Sequence, residues 1–212
     1  MIAKGALTDD PPWVIGVGAS GDAGLRDIRA LLQALPHELP AVVMVVLHRG
    51  ADRPSQLREV LSHVSSIPVE IVRQGAPLKA GVCYIGEPAE HLTFAFPDRA
   101  DLVRDGLYRN RTIDLLFRSL AHSAGQRTIG VVLSGSLDDG SRGLAAIREA
   151  GGVAMVVLPR SLGGGDMPSN AIALDGRIDF IGPPAEIAAE IVRRVCRPEV
   201  GGHAAPAPAR PL

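Results

Sequence analysis

The 212-residue sequence carries little net charge and few aromatic side chains. Its 22 Lys and Arg residues are balanced by 23 Asp and Glu residues, so the formal net charge is −1 and no positive field attracts polyanions. Aromatic residues make up 3% of the chain, which leaves few platforms on which bases could stack. Both deficits disfavour a nucleic-acid-binding protein.

Long apolar runs are also missing. The longest uninterrupted one extends from Ala41 to Leu47, far short of the ~18 residues that a membrane-spanning helix needs. No basic stretch followed by an apolar one opens the chain, as a secretory leader would. We therefore expect a cytoplasmic protein without direct membrane insertion.

Cysteine is scarce, with only Cys83 and Cys196. Neither has a second Cys or a His at metal-ligand spacing, so we expect two reduced core residues and no metal site. The composition, 46% hydrophobic and 21% charged, is typical of globular domains. At this length we expect one α/β domain over 13–197, preceded by an extension at 1–12 and followed by a disordered Pro- and Ala-rich tail at 198–212.

Predicted strands and helices alternate along most of the chain, which favours a mostly parallel, doubly wound sheet with helices on both faces. The predicted strands are 13–17, 41–47, 128–133 and 153–158, and the predicted helices are 25–35, 54–63, 112–123, 142–150 and 185–195. Between them, residues 68–103 hold short β-like runs separated by Gly and Pro, which predict a small antiparallel insertion. The glycine-rich segment 161–166 predicts a mobile surface loop.

Polar side chains follow three of the predicted strands, at the edge where open parallel sheets place their functional crevice. They are Ser20, His48 and the pair Asp138-Asp139. A serine becomes nucleophilic beside a base, and the base needs a carboxylate that fixes its tautomer. Ser20, His48 and Asp139 supply these three parts.

An oxyanion could be stabilised beside these groups. The amide of Gly21 opens the helix that follows Ser20, and helix N-termini favour negative charge. A second amide could come from Ser136 or Leu137, in the turn that also holds Asp139.

Each of these residues also has a structural interpretation. Ser20 could cap the first helix, His48 could be a surface residue, and Asp139 could form a turn or cap a helix. Only their convergence on one edge favours catalysis. The remaining histidines, which we expect to be solvated and without a role, are His37, His63, His91, His122 and His203.

The same first turn supports a rival function. Gly16, Gly18 and Gly21 match the G-x-G-x-x-G pattern of dinucleotide-binding folds. That pattern requires an acidic residue after the second strand, whereas this strand ends in His48-Arg49. Because an Arg suits a 2′-phosphate, an NADP-binding oxidoreductase stays as the alternative.

Longer stretches of the chain resemble one known family. The resemblance rests on GVGASGDAGL, VVMVVLHRG, GVCYIGEPAEHLTF, RNRTIDLLFRSLAHSAGQRTIGVVLSGSLDDGSRGLAAIREAGG and DMPSNAIA. Between Val14 and Val195 the chain is similar to the catalytic domain of the chemotaxis protein-glutamate methylesterases, the CheB type. This resemblance implies an α/β fold with Ser20 as nucleophile, His48 as base and Asp139, not Asp138, as the carboxylate.

The resemblance also implies the reaction. Such enzymes hydrolyse γ-glutamyl methyl esters on the cytoplasmic helices of chemoreceptors through an acyl-enzyme, and some also deamidate receptor glutamines, in both cases without a cofactor. It implies that Met167, of the Met167-Pro168 pair, lines the site. Family members often carry an N-terminal receiver domain that blocks the active site. About a dozen residues precede the first strand here, so we expect no inhibition by such a domain, or regulation by a separate chain.

The sequence departs from the family pattern at two turns. The usual Ser-x-Gly-Gly is replaced by Ser20-Gly21-Asp22-Ala23-Gly24, and Ser136 stands where Met or Thr is usual. The Asp22 carboxylate either favours the helix dipole or opposes a developing oxyanion. A family member that binds partners without catalysis is therefore a third interpretation.

Overall fold

A computed structural model describes seven stretches of the chain: 12–48, 55–88, 90–95, 97–103, 111–160, 165–175 and 177–196. The predicted extension and tail lie almost entirely outside the described residues, as do 161–164 of the predicted glycine-rich loop and the first residue of the predicted helix 54–63. The domain limits and the character of these segments therefore stay predictions.

Seven parallel strands form the main sheet, in the order β3-β4-β2-β1-β7-β8-β9. They are β1 (Trp13–Ser20), β2 (Ala41–His48), β3 (Val69–Ile71), β4 (Cys83–Ile85), β7 (Thr128–Val132), β8 (Val153–Val157) and β9 (Phe180–Gly182). A separate antiparallel pair consists of β5 (His91–Ala95) and β6 (Arg99–Val103). The parallel sheet expected from the sequence is confirmed.

Six α-helices cover the two faces of this sheet in the described part of the chain. They are α1 (Gly21–Ala34), α2 (Leu57–Ser62), α3 (Thr112–Ala124), α4 (Ser141–Glu149), α5 (Met167–Asp175) and α6 (Pro184–Val195). Successive strand residues point to opposite faces. Accordingly Ile15 and Val17 pack with α1, α2 and α6, whereas Val14 packs with α3, α4 and α5, on what we call the α3 face. Both faces are buried, which explains the continuous apolar strands.

The glycines of β1 have a packing role. The sequence predicts that this strand ends at Val17, but it continues to Ser20, so Gly16 and Gly18 lie inside the strand. A Cβ on Gly16 would lie 2.6 Å from Leu120 Cδ1, and one on Gly18 would lie 2.2 Å from Ile113 Cγ2. Both glycines therefore let α3 approach the strand, and they leave no phosphate-binding loop in the G-x-G-x-x-G segment.

The insertion at 68–103 is antiparallel only in its second half. Strands β5 and β6 form the predicted hairpin, but β3 and β4 pair in parallel with each other, and β4 pairs in parallel with β2. Two parallel strands need a crossover, and here residues 72–82 supply one without a helix. This crossover is held by hydrogen bonds to β6, from the amide of Gly75 to the oxygen of Ala100 (2.9 Å) and from the amide of Ala100 to the oxygen of Ala76 (3.2 Å).

Helix α5 begins where the sequence analysis placed no regular structure. Its first turn is capped by Asp166, whose carboxylate accepts the amide of Ser169 at 2.9 Å.

Two smaller expectations are wrong. Cys196 is exposed because it follows the last turn of α6, and His91 is buried because β5 packs against α3. Among the described residues, no helix is both long and apolar enough to cross a membrane.

Candidate active site

The candidate site lies where the sheet reverses its winding. From β1 the chain proceeds to β2, β3 and β4 on one side, and β7, β8 and β9 are added on the other. Crevices for ligands form at such a switch point, beyond the carboxyl ends of the strands. Ser20 ends β1 there, and its amide donates to the backbone oxygen of Ser134, just after β7 (3.0 Å).

Ser20 and His48 are direct neighbours across two parallel strands. Their Cα atoms are register partners at the ends of β1 and β2. Because side chains alternate along a strand, both residues point to the α3 face, in step with Val14 and Met44. Neighbouring strands lie about 4.8 Å apart, so the two side chains emerge within reach of each other.

Asp139 is the carboxylate that meets His48. Its Oδ2 lies 2.7 Å from His48 Nε2, and the Oγ1 of Thr112 lies 2.8 Å from the same nitrogen. Asp139 is only 2% exposed. Since a carboxylate can only accept, the imidazole places its proton on Nε2, and the lone pair of neutral histidine is then on Nδ1.

The N-terminus of α3 fixes this carboxylate. Amides of the first helical turn donate to both of its oxygens: Ile113 to Oδ2 and Asp114 to Oδ1, each at 2.9 Å. In return, Asp114 Oδ1 accepts the amides of Gly140 (3.1 Å) and Gly143 (2.7 Å) at the start of α4. Asp139, which lies just before α4, thus caps α3, and Asp114 of α3 caps α4, so these hydrogen bonds fix the orientation of Asp139.

The neighbouring Asp138 has different partners. Its side chain is 47% exposed, and its Oδ2 lies 3.2 Å from Arg111 Nη1, which also contacts Asp114. The register that the resemblance implies, with Asp139 rather than Asp138 toward the histidine, agrees with these contacts.

The Ser20 turn has the geometry of a strand passing directly into a helix. Ser20 is extended (φ −143°, ψ 143°), and its side chain makes no capping hydrogen bond within the described first turn of α1. Gly21 follows with φ +66°, a conformation that favours glycine. The capping interpretation of Ser20 is therefore wrong for this structure. Asp22 is exposed in the same turn, where it suits the helix dipole.

Ser136 and Met167 lie on either side of a glycine that the sequence analysis overlooked. Ser136 is exposed and forms a backbone bridge with Asp166, whereas Met167 is fully buried and its amide donates to the oxygen of Gly135 at 3.0 Å. A Cβ on Gly135 would lie 2.2 Å from Met167 Sδ and 2.8 Å from Ser20 Cβ. Gly135 thus lets the methionine approach Ser20, and its place in the Ser-Gly-Ser turn was the available signal.

A second carboxylate supports the backbone behind Ser20. Asp27 of α1 is buried, with its oxygens accepting the Ser134 amide (3.2 Å) and Arg160 Nη2 (2.9 Å). Because the backbone oxygen of Ser134 accepts the amide of Ser20, the Asp27–Ser134 hydrogen bond also stabilises the turn at Ser20. Like Thr112, Asp27 was missed because only long-range packing brings it to the site. In the described part of the chain, no group of three or more His, Cys, Asp and Glu residues is placed to hold a metal ion.

The sequence also matches known proteins. The model of the family described as CheB methylesterase matches residues 15–191. A "Putative protein-glutamate methylesterase/protein-glutamine glutaminase" of Leptospira interrogans is 29% identical over 188 residues, covering 85% of this chain and 92% of that protein. The "Protein-glutamate methylesterase/protein-glutamine glutaminase 2" of Shewanella denitrificans is 33% identical over 193 residues, covering 89% of this chain but 54% of its own length.

A solved structure shares the fold. The crystal structure of the Thermotoga maritima CheB methylesterase catalytic domain superimposes with a TM-score of 0.77 at 24% sequence identity, covering 86% of this chain and 98% of that one. From the family match and the shared fold, the chain belongs to the CheB methylesterase family.

Proposed function

We propose that this chain hydrolyses methyl esters on glutamyl side chains of chemoreceptors, with Ser20 as nucleophile, His48 as base and Asp139 as the carboxylate that orients it. The observation that carries the proposal is the histidine's position. It is the register neighbour of Ser20 and lies 2.7 Å from a buried carboxylate fixed by two helix amides. The names of the relatives favour methyl esters of protein glutamates as the substrates, and the resemblance to the chemotaxis enzymes favours chemoreceptors as the proteins that carry them.

In this proposal Nδ1 of His48 is the base. Nε2 faces Asp139 and Thr112, which leaves the lone pair of Nδ1 to accept the proton of Ser20, the register neighbour of His48. It removes the Ser20 proton as Oγ attacks the ester carbonyl, and Asp139 stabilises the resulting imidazolium. The proton then passes to the departing methoxide, so that methanol leaves and a glutamyl ester with Ser20 remains.

Water completes the cycle. His48 removes a proton from a water molecule that attacks the acyl-enzyme, and Ser20 leaves with the proton returned to it. The product is a glutamate carboxylate. A glutamine substrate would follow the same steps with ammonia as the leaving group, which accords with the double names of the relatives.

The amide of Gly21, at the positive end of α1, is suited to stabilise the oxyanion of both tetrahedral intermediates. A second amide would come from the turn at Ser136 and Leu137. Met167 is the apolar wall behind Ser20, in contact with Gly135. The steps use no cofactor.

Methanol release from a methylated chemoreceptor fragment tests the proposal. The wild-type chain should release methanol, and Ser20→Ala should lose at least about 10³-fold in rate, since removal of a nucleophile costs orders of magnitude. The matched control is Ser62→Ala, because Ser62 is exposed at the end of α2. Unchanged release by Ser20→Ala would reject the mechanism. An absence of methanol combined with saturable NADPH binding would favour the oxidoreductase alternative.

A further inference from the structure

Leu137 is unusual in two respects. It is the one non-glycine residue with positive φ (+71°) in the part of the chain that the structure describes, and its side chain is 69% exposed. The left-handed conformation is disfavoured for residues that carry a Cβ, and glycine or asparagine would adopt it more readily. An exposed leucine also gains nothing from burial. In the free protein, therefore, the Leu137 side chain makes no buried contact that would offset the free-energy cost of its left-handed backbone or of its own exposure to water.

The turn around Leu137 is nevertheless firmly held. Asn170 Nδ2 of α5 donates to the backbone oxygen of Leu137 at 2.6 Å, and the preceding Ser136 forms a backbone bridge with Asp166. The surrounding contacts thus impose the strained conformation and present the side chain to solvent. Strain that its surroundings impose in this way is typical of functional positions.

Leu137 stands midway between two residues of the candidate site. Two positions before it, Gly135 packs against Ser20, and two positions after it, Asp139 contacts His48. Two residues of chain span at most about 7 Å. The Cα atom of Leu137 is therefore within about 7 Å of the Cα atoms of both Gly135 and Asp139, a distance comparable to one turn of an α-helix, whose pitch is about 5.4 Å.

We propose that Leu137 determines substrate specificity by packing against an apolar side chain one helical turn from the glutamyl ester, that is, three or four residues away on the substrate helix. This inference rests on the proposed function and assigns its substrate preference. An apolar neighbour would bury the leucine on binding, so the uncompensated exposure of the free protein becomes a favourable contact in the complex.

Two helical peptides test the inference. Each carries one glutamyl methyl ester, and the positions three and four residues to either side hold leucine in one peptide and serine in the other. Wild type should have a kcat/KM about tenfold higher for the leucine peptide, as expected for an apolar contact. In Leu137→Asn and Leu137→Gly, both of which suit the left-handed backbone, the ratio should fall to unity. Val60→Ala, at an exposed apolar residue on α2, should keep the wild-type ratio.

Hydrolysis of p-nitrophenyl acetate reports the catalytic centre alone, and dividing by it removes any general loss of activity. A wild-type ratio of unity, or a ratio that survives both substitutions, would overturn the inference. Equal losses on the leucine peptide and on p-nitrophenyl acetate would do so too, because they would show a structural role. If Ser20→Ala retained p-nitrophenyl acetate turnover and wild type released methanol from neither peptide, the proposed function would fail, and the inference with it.

Discussion

Replacing Asp139 by asparagine removes an acceptor from a carboxylate whose two oxygens meet three donors. Oδ1 accepts the amide of Asp114, while Oδ2 accepts the amide of Ile113 and contacts His48 Nε2. An asparagine side chain has one oxygen and one NH₂ group. In either orientation the NH₂ group therefore faces an N–H donor of the α3 terminus, and one buried amide loses its partner.

The size of the effect follows from these contacts. An orphaned buried amide costs about 1–3 kcal/mol of folding free energy. When the NH₂ group occupies the Oδ2 position, it can only donate to Nε2, so the imidazole proton moves to Nδ1 and the base cannot accept from Ser20. A base held in the wrong tautomer loses about 10⁴-fold in rate. When the NH₂ group occupies the Oδ1 position, the tautomer survives, but the charge that stabilises the imidazolium is lost.

Asp138→Asn is the matched control. Asp138 is half exposed and pairs with Arg111, and such pairs contribute at most about 1 kcal/mol. We expect kcat on the methylated receptor fragment to fall by about 10⁴-fold in Asp139→Asn and to stay within about twofold of wild type in Asp138→Asn. Urea unfolding should show the larger stability loss in Asp139→Asn as well. A greater rate loss in Asp138→Asn would refute the assignment of the carboxylate.

Three further substitutions or modifications have definite outcomes. Gly135→Ala places a methyl group 2.2 Å from a buried sulfur and displaces Ser20, so urea unfolding should show a loss of about 1–3 kcal/mol and kcat should fall; wild-type stability and kcat would contradict this packing. Asp22→Asn should lower the free energy of unfolding by about 0.3 kcal/mol or more and leave kcat unchanged, because the side chain is exposed in the first turn of α1. A faster enzyme would instead place the Asp22 charge beside the oxyanion. Burial raises the pKa of Cys83 to about 12, whereas Cys196 is exposed. A thiol reagent at neutral pH should therefore modify Cys196 in the folded chain and both cysteines only after unfolding. Two reactive thiols in the native state would contradict this.

The sequence predicted the main sheet because the strands are buried on both faces and read as continuous apolar runs. The same logic brought Ser20, His48 and Asp139 to one edge, since the carboxyl ends of parallel strands share it. The structure agrees on the placement of these residues, and their catalytic roles stay predictions. The sequence pattern alone could not distinguish a catalytic Ser20 from a helix cap, or the turn at 16–21 from an NADP-binding loop. The structure gives NADP binding no support, because side chains of α3 occupy the space beside Gly16 and Gly18.

Other features depend on contacts between distant segments and leave no local signal. Strands β3 and β4 are three residues each, too short for a periodic pattern to distinguish a hairpin from two parallel strands. Thr112 reaches His48 across 64 positions of sequence, and Asp27 reaches the Ser134 amide across 107. Helix α5 did carry a signal, an aspartate before its first turn, but the preceding glycines favoured a loop.

Covalent labelling with a fluorophosphonate ester tests the central claim most directly, because such a probe phosphonylates a serine only when a base activates it. Intact mass should show one added group, and peptide mapping should assign it to Ser20. His48→Ala should label at least about 10³-fold more slowly, whereas Ser62→Ala should label at the wild-type rate. Labelling of a residue other than Ser20, or undiminished labelling in His48→Ala, would contradict the account.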